Sequence, residues 1–176
     1  MCDRAAAVAE SLRTQLGRRI DARWIPSANL HITLWFIGEV PDDRAEAILR
    51  AIRPPFREAP FDIQLAGLGA FPPSGVPRVI WVGVQSGAEG LARLHVELAE
   101  RLRPLGIEPE RRGYSAHLTI ARVKDVPGGE RAAVRTAFRA LPAVAGRCRV
   151  AVVTVFRSRL SPKGAAYEPL LRVPLQ

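Results

Sequence analysis

The stretch that decides the fold is NLHITLWF at residues 29–36, because nearly the same pattern returns as SAHLTIAR at residues 115–122. Both stretches contain His-x-Thr, and their histidines, His31 and His117, lie 86 positions apart (117 − 31). A pattern that recurs at a fixed offset is the mark of an internal repeat. The sequence on either side of the two motifs should then obey the same offset.

The flanking sequence obeys this offset. Four segments with apolar residues at helical spacing predict helices, in two pairs 86 positions apart: 4–16 with 90–102, and 42–52 with 128–138. Four β-type runs pair in the same way: 61–71 with 147–157, and 78–84 with 164–170. Each half of the chain therefore reads helix, His-x-Thr strand, helix, strand, turn, strand.

This order of elements predicts an α+β fold. We expect a single bilobal domain over residues 1–176, with pseudo-repeat units at about 4–84 and 88–173, two antiparallel sheets flanking a central cleft, and helices on the outside. The repeat also leaves a gap, because the counterpart of the 78–84 strand would lie ahead of Met1. Three explanations stay open: a native start upstream of Met1, an open sheet edge in that lobe, or an imperfect repeat.

The two motifs carry polar residues at alternate positions. Side chains on a strand alternate between faces, so His31 and Thr33 share one face of their strand, and His117 and Thr119 share one face of theirs. The apolar residues between them face the helices. An approximate twofold relation between the lobes would bring both polar faces to a common cleft. The sequence thus predicts a site with two imidazoles and two hydroxyls.

Two imidazoles in one site suit phosphodiester cleavage. Because an imidazole titrates near pH ~6.5, one ring can take a proton from water while the other gives one to the departing ribose oxygen. Threonine hydroxyls can hydrogen-bond the phosphate oxygens, and a nearby cation can offset the charge that develops at phosphorus. We expect no metal and no other cofactor, since the chain has three histidines and neither an HExxH sequence nor clustered carboxylates beside either motif.

Composition limits the class of partner. The formal net charge of +9 and the pI near 11.0 favour a polyanionic partner. No stretch approaches the roughly 20 apolar residues of a membrane span, and the N-terminus has no uninterrupted apolar signal region, so no membrane association is expected. Cys2 and Cys148 give no disulfide framework and no zinc spacing, which predicts a cytoplasmic location. No obligatory protein partner is visible.

The two motifs and their flanks resemble a known family. HITL and HLTI, together with RWIPSANLHITLWFIGEV, PRVIWVGV, AHLTIAR and FRSRLSPKGAAYEPL, are similar to the two-histidine (2H) phosphoesterases, most closely the bacterial RNA 2′,3′-cyclic phosphodiesterases once called 2′-5′ RNA ligases (LigT type). The resemblance covers nearly the whole chain. It implies a hydrolase with a bilobal α+β fold whose cleft opens a terminal 2′,3′-cyclic phosphate on RNA to a 2′-phosphomonoester. Processed tRNA ends and cyclic nucleotides carry the same cyclic phosphate.

The resemblance also implies a role for each motif residue. His31 matches the donor of a proton to the leaving oxygen, and His117 matches the base that activates water. Thr33 and Thr119 would hold phosphate oxygens, and Arg122 would neutralise charge. Strict alternation puts Arg122 on the face opposite His117, so this role requires the strand to end or bulge before that residue.

Three aromatic residues need separate predictions. Trp35 stands where relatives often carry a basic residue, and alternation puts it on the face of His31, where it either stacks on a base or covers the lobe interface. Tyr167 matches a position near the cleft, and packing against the lobe interface explains it equally. The third histidine, His95, lies among leucines on a helical face, and we expect it to pack there with a satisfied ring nitrogen.

Three functions stay open on the sequence. The first is metal-independent hydrolysis of the cyclic phosphate, and the second is an RNA-end-binding module that grips the phosphate without turnover. The third is 2′-5′ RNA ligation, which is the reverse reaction and would use the same residues. The sequence does not give the physiological RNA or the oligomeric state.

Overall fold

The helices lie where the apolar spacing predicts them. The computed structural model describes residues 3–109, 113–140, 144–161 and 164–176. The helices in these ranges are α1 (Asp3–Leu16), α2 (Asp42–Ile52), α3 (Ala88–Leu102) and α4 (Arg131–Ala140). The strands are β1 (Asp21–Trp24), β2 (Phe61–Phe71), β3 (Val79–Ser86), β4 (His117–Asp125), β5 (Val144–Val150), β6 (Val152–Ser161) and β7 (Gly164–Pro174).

The described strands form two sheets. One sheet has five strands in the order β1-β4-β3-β2-β5, and the other consists of β6 and β7. Strand β4 pairs antiparallel with both β1 and β3, β2 pairs antiparallel with β3, and β6 pairs antiparallel with β7. The predicted α+β class with two antiparallel sheets is therefore confirmed.

The chain divides into two compact units, each built from segments that alternate along the sequence. The first unit contains Met1–Ile32, Ile63–Ser86 and Ala116–Cys148, and the second contains Thr33–Asp62, Gly87–Ser115 and Arg149–Gln176. Each unit thus draws segments from both halves of the sequence. The pseudo-repeat at about 4–84 and 88–173 relates sequence segments, not compact units, and stays a prediction.

In the first unit α1 packs against β4 and α4. Leu12 of α1, Ile80 of β3, and Leu118 and Ile120 of β4 are fully buried. Each of these side chains contributes about 1.5–3 kcal/mol by leaving water. This core holds β4 in place, and β4 carries the second His-x-Thr motif.

The second unit has its own core. The buried residues in this cluster come from α2, α3, β6, β7 and the segments after α2 and β7: Ile48, Ile52, Phe56, Leu94, Leu98, Leu102, Val153, Val173 and Leu175. Leu34 and Trp35, from the first motif and the position after it, pack against this cluster. The α3 helix contributes three of its leucines, so its position governs much of this core.

The first motif departs from its prediction. The first His-x-Thr motif was expected to form a strand, but the structure has a 3-10 turn at Ser27–Asn29 just before the motif and one isolated antiparallel bridge, Ile32 to Leu118, inside it. The second motif lies in β4, which is paired along both edges. A backbone segment without a continuous ladder is not held as a regular strand, and this explains why one motif is a strand and the other is not.

Two other predictions need correction. The run at 147–157 is divided between β5 and β6 with a break at Ala151, and β1 was not predicted. The expectation that the cysteines form no disulfide was wrong, because Cys148 is disulfide-bonded; Cys2 lies outside the described residues. A disulfide depends on separation in space, which sequence spacing does not give. Within the described ranges, no helix is long and apolar enough to cross a membrane.

Candidate active site

The second motif is held by alternation along β4. Leu118 and Ile120 are fully buried in the core of the first unit. His117 and Thr119 point to the other face of the strand and are half-buried. The alternation predicted for this motif is confirmed, and it puts an imidazole and a hydroxyl side by side on one face.

A bulge interrupts β4 immediately after the motif. Trp81 on β3 lies opposite Thr119, but the preceding residue, Ile80, lies opposite Ala121. Ile120 is therefore an extra residue on β4 with no partner of its own on β3. A one-residue insertion of this kind reverses which face the following side chains occupy.

The bulge decides the position of Arg122. After it, Ala121 and Val123 are buried, whereas Arg122 between them is exposed. Arg122 thus lies on the same face of β4 as His117 and Thr119. The sequence required a strand end or bulge for this placement, and the structure contains the bulge.

In the first unit, the histidine of the first motif lies beside the second motif. Ile32 and Leu118 form an antiparallel bridge, which joins the two motifs through their central apolar residues. In an antiparallel bridge, the residues on either side of the bridged pair point to the face opposite the pair. His31 and His117 are such flanking residues, so both side chains point to the face opposite Ile32 and Leu118.

The backbone fixes one nitrogen of His31. Residues Pro26 to Asn29 form a tight 3-10 turn, and the Asn29 carbonyl lies 2.8 Å from Nδ1 of His31. A carbonyl oxygen only accepts hydrogen bonds, so Nδ1 carries a proton and donates it. The atom that exchanges a proton with a substrate is then Nε2.

Two aromatic rings lie beside the His117 imidazole within the first unit. Phe71 of β2 makes an edge-to-face contact with the His117 ring at 5.1 Å between centroids, and Trp81 lies 6.2 Å away. Phe71 and Trp81 also contact each other at 5.3 Å. Gly69 lies beneath the indole, because a Cβ at this position would come within 2.2 Å of two ring atoms of Trp81.

These aromatic neighbours were not predicted. Trp81 and Phe71 lie in runs that the sequence correctly identifies as strands. Their contact with His117 depends on the registers of β2, β3 and β4, and a single sequence does not contain the register. The available signal was the large ring of Trp81 within an otherwise aliphatic strand.

The remaining predicted site residues belong to the second unit. Thr33 is exposed and directly follows Ile32. The ring of Trp35 stacks on His95 at 4.8 Å, so one face of this indole is covered by protein. Tyr167 contacts the exposed Phe156 edge-to-face at 6.0 Å. Their roles toward a substrate stay predictions.

His95 behaves as predicted. Its Nδ1 lies 2.8 Å from the Leu34 carbonyl, so this ring nitrogen is satisfied. The ring, carried by α3, stacks on Trp35 and Tyr114 from segments outside this helix. Among the residues that the structure describes, no group of three or more His, Cys, Asp or Glu side chains is placed to hold a metal ion.

The chain belongs to the 2′-5′ RNA ligase superfamily, whose family model matches residues 2–160. A curated relative from Aeropyrum pernix, named RNA 2′,3′-cyclic phosphodiesterase, is 41% identical over 105 residues, 60% of this chain and 59% of the relative. A relative of the same name from Methanothermobacter thermautotrophicus is 34% identical over 146 residues, 82% of this chain and 78% of the relative.

A solved structure has a similar fold. A crystal structure of a protein from Thermus thermophilus matches with a TM-score of 0.76 at 29% identity, covering 97% of this chain and 90% of the other. The chain spans between 47% and 63% of the length of four of the curated relatives that it matches.

Proposed function

We propose that this chain hydrolyses terminal 2′,3′-cyclic phosphates on RNA to 2′-phosphomonoesters, without a metal ion. The observation that carries the proposal is the bridge between Ile32 and Leu118, which joins the centres of the two His-x-Thr motifs. The names of the curated relatives support the substrate class, and the net charge of +9 favours a polyanion such as RNA.

The proposed reaction needs one base and one acid. His117 takes a proton from water, and the water oxygen attacks phosphorus. The bond from phosphorus to the 3′ oxygen breaks, and His31 donates the proton of its Nε2 to that oxygen. The hydrogen bond from Nδ1 of His31 to the Asn29 carbonyl orients the ring and leaves Nε2 as the atom that exchanges a proton.

Other residues would stabilise the developing charge. Thr119 and Arg122 share the face of His117 on β4, which supports their binding to the non-bridging phosphate oxygens. Thr33 would act in the same way from the first motif. We include Tyr167 as a substrate-binding candidate and Trp35 as a candidate that stacks on a base, for which the contact with His95 leaves at most one face of the indole.

The test is hydrolysis of a short RNA ending in a 2′,3′-cyclic phosphate, in excess EDTA, followed by phosphorus NMR. Wild type should give the 2′-phosphate. His31→Ala and His117→Ala should each slow the reaction by about 10²–10⁴-fold, the contribution of one general acid or base. Thermal unfolding of both variants checks that they are folded.

Each other outcome identifies another function. Binding that weakens with salt, with no product, would indicate an RNA-end-binding module. Joining of the cyclic phosphate to a 5′-hydroxyl RNA in the same sample would indicate 2′-5′ ligation. Comparing tRNA fragments with cyclic nucleotides would rank physiological substrates, and cell fractionation would test the proposed cytoplasmic location.

A further inference from the structure

His95 lies on α3, and it bonds the backbone of the first motif. Its Nδ1 lies 2.8 Å from the carbonyl oxygen of Leu34, the residue after Thr33. The structure assigns no strand to this segment, so the Leu34 carbonyl is bonded by a side chain instead of a continuous ladder. A hydrogen bond from a packed helix therefore fixes the backbone next to a motif residue.

The same ring also contacts the approach to the second motif. Tyr114, three residues before His117, stacks on His95 with 4.6 Å between centroids and an angle of 11° between the ring planes. Trp35 stacks on His95 at 4.8 Å and 27°. The rings of Trp35 and Tyr114, which lie in two separate segments of the second unit, thus both stack on His95.

These contacts lie close to two of the places where the chain passes from one unit to the other. One passage falls between Ile32 and Thr33, and another falls between Ser115 and Ala116. The residues that His95 contacts, Leu34, Trp35 and Tyr114, lie within three positions of these two passages. Both passages fall inside or directly before a His-x-Thr motif.

We propose that His95 is a positioning residue for the reaction described above, on which this inference rests. It holds the backbone at Leu34 and the ring of Tyr114 in fixed positions within the second unit. Thr33 is bonded directly to Leu34, and Tyr114 leads into His117, so each motif has one end held by the same imidazole. Because catalysis requires groups to be placed within about 0.5 Å, losing this hold slows the chemical step.

Three substitutions separate the hydrogen bond from the packing. His95→Asn places an amide N–H where Nδ1 stands and keeps the bond to Leu34. His95→Phe keeps a stacked ring without the bond, and His95→Ala removes both. Val96→Ala is the matched control, because Val96 is the next residue of α3 and is exposed.

We expect the hydrogen bond to govern kcat. His95→Ala and His95→Phe should lower kcat by about tenfold to a hundredfold with KM changed less than about threefold, since misplacement of about 1 Å costs about 10²-fold. His95→Asn keeps the bond but loses the stacked ring, so it should retain more activity than the Ala and Phe variants, and Val96→Ala should stay within about threefold of wild type. If the unmodified protein is active and both His95→Ala and His95→Phe have the same kcat as it does, the inference is overturned.

A measurement on the unmodified protein guards against variants that do not fold. Nitrogen-15 NMR of the histidine rings should show His95 as the Nδ1–H tautomer over the pH range in which it is neutral. The Nε2–H tautomer would exclude the bond to Leu34 and overturn the inference. A wild-type protein that fails to open the cyclic phosphate would instead reject the proposed function.

Discussion

The hydroxyl of Tyr114 is buried in the second unit without a hydrogen-bond partner among the described residues. Burial raises the pKa of Tyr114 from 10.0 to about 12, because the phenolate is disfavoured away from water. The ring stacks on His95, and this contact needs no hydroxyl. The hydroxyl therefore costs stability at neutral pH without serving the stack.

Tyr114→Phe should change stability in two ways. At pH 7 the free energy of unfolding should stay the same or rise by about 1 kcal/mol, because an unpaired buried polar group is removed. In wild type the unfolded chain ionises this tyrosine at a lower pH than the folded chain does, because the pKa of Tyr114 is raised from 10.0 to about 12, so stability falls between pH 10 and about 12. Urea unfolding at several pH values should show that loss in wild type and not in the variant; parallel curves would contradict this account.

Arg122 and Lys124 offer a matched pair on β4. Both are exposed and lie on the same face after the bulge, but Lys124 pairs with Asp21 at 3.8 Å. If Arg122 neutralises phosphate charge, Arg122→Ala should lower kcat/KM for a cyclic-phosphate RNA by about 10²-fold. Lys124→Ala should stay within about threefold. Equal losses in the two variants would assign only a general electrostatic effect to Arg122.

At the scale of elements, β3 and β4 hold the ring of Trp81 against His117. The contact requires a small residue at position 69 on β2, where Gly69 lies opposite Trp81. The ring is also in contact with Phe71. The packing of three neighbouring strands thus limits where the His117 imidazole can lie.

Gly69→Ala tests this packing. The new methyl group would overlap the Trp81 indole, so we expect a loss of about 1–3 kcal/mol in the free energy of unfolding and a lower kcat. Gly128→Ala, in the 3-10 turn Gly128–Glu130, is the control because a Cβ there meets no atom within 4 Å. Urea unfolding of both variants measures the difference, and equal stability of the two would refute the packing argument.

Elements differ in how well the sequence predicts them. The helices were predicted because apolar spacing is a local property, and α2 and α3 begin within two residues of their predicted starts. The irregular backbone around His31 was not predicted, because a strand needs a paired neighbour as well as an alternating pattern. The bulge at Ile120 was anticipated only as a condition for Arg122, and the contact between Trp81 and His117 depends on register.

At the scale of the whole molecule, two compact units are built from alternating segments of the chain. His31, His117, Thr119 and Arg122 all belong to the first unit, although His31 and His117 are 86 positions apart in sequence. The repeated motif predicted that these residues act together. Sequence could not predict that Thr33 falls in the other unit, since unit boundaries follow from packing.

The most direct test of the central claim is the pH dependence of kcat/KM for a 2′,3′-cyclic phosphate RNA. Wild type should give a bell-shaped profile, because His117 must be unprotonated and His31 protonated. The residual activity of His117→Ala should lack the acidic limb, and that of His31→Ala should lack the alkaline limb. If the pH profile of either variant keeps both limbs, the two histidines are not the acid and base of the reaction.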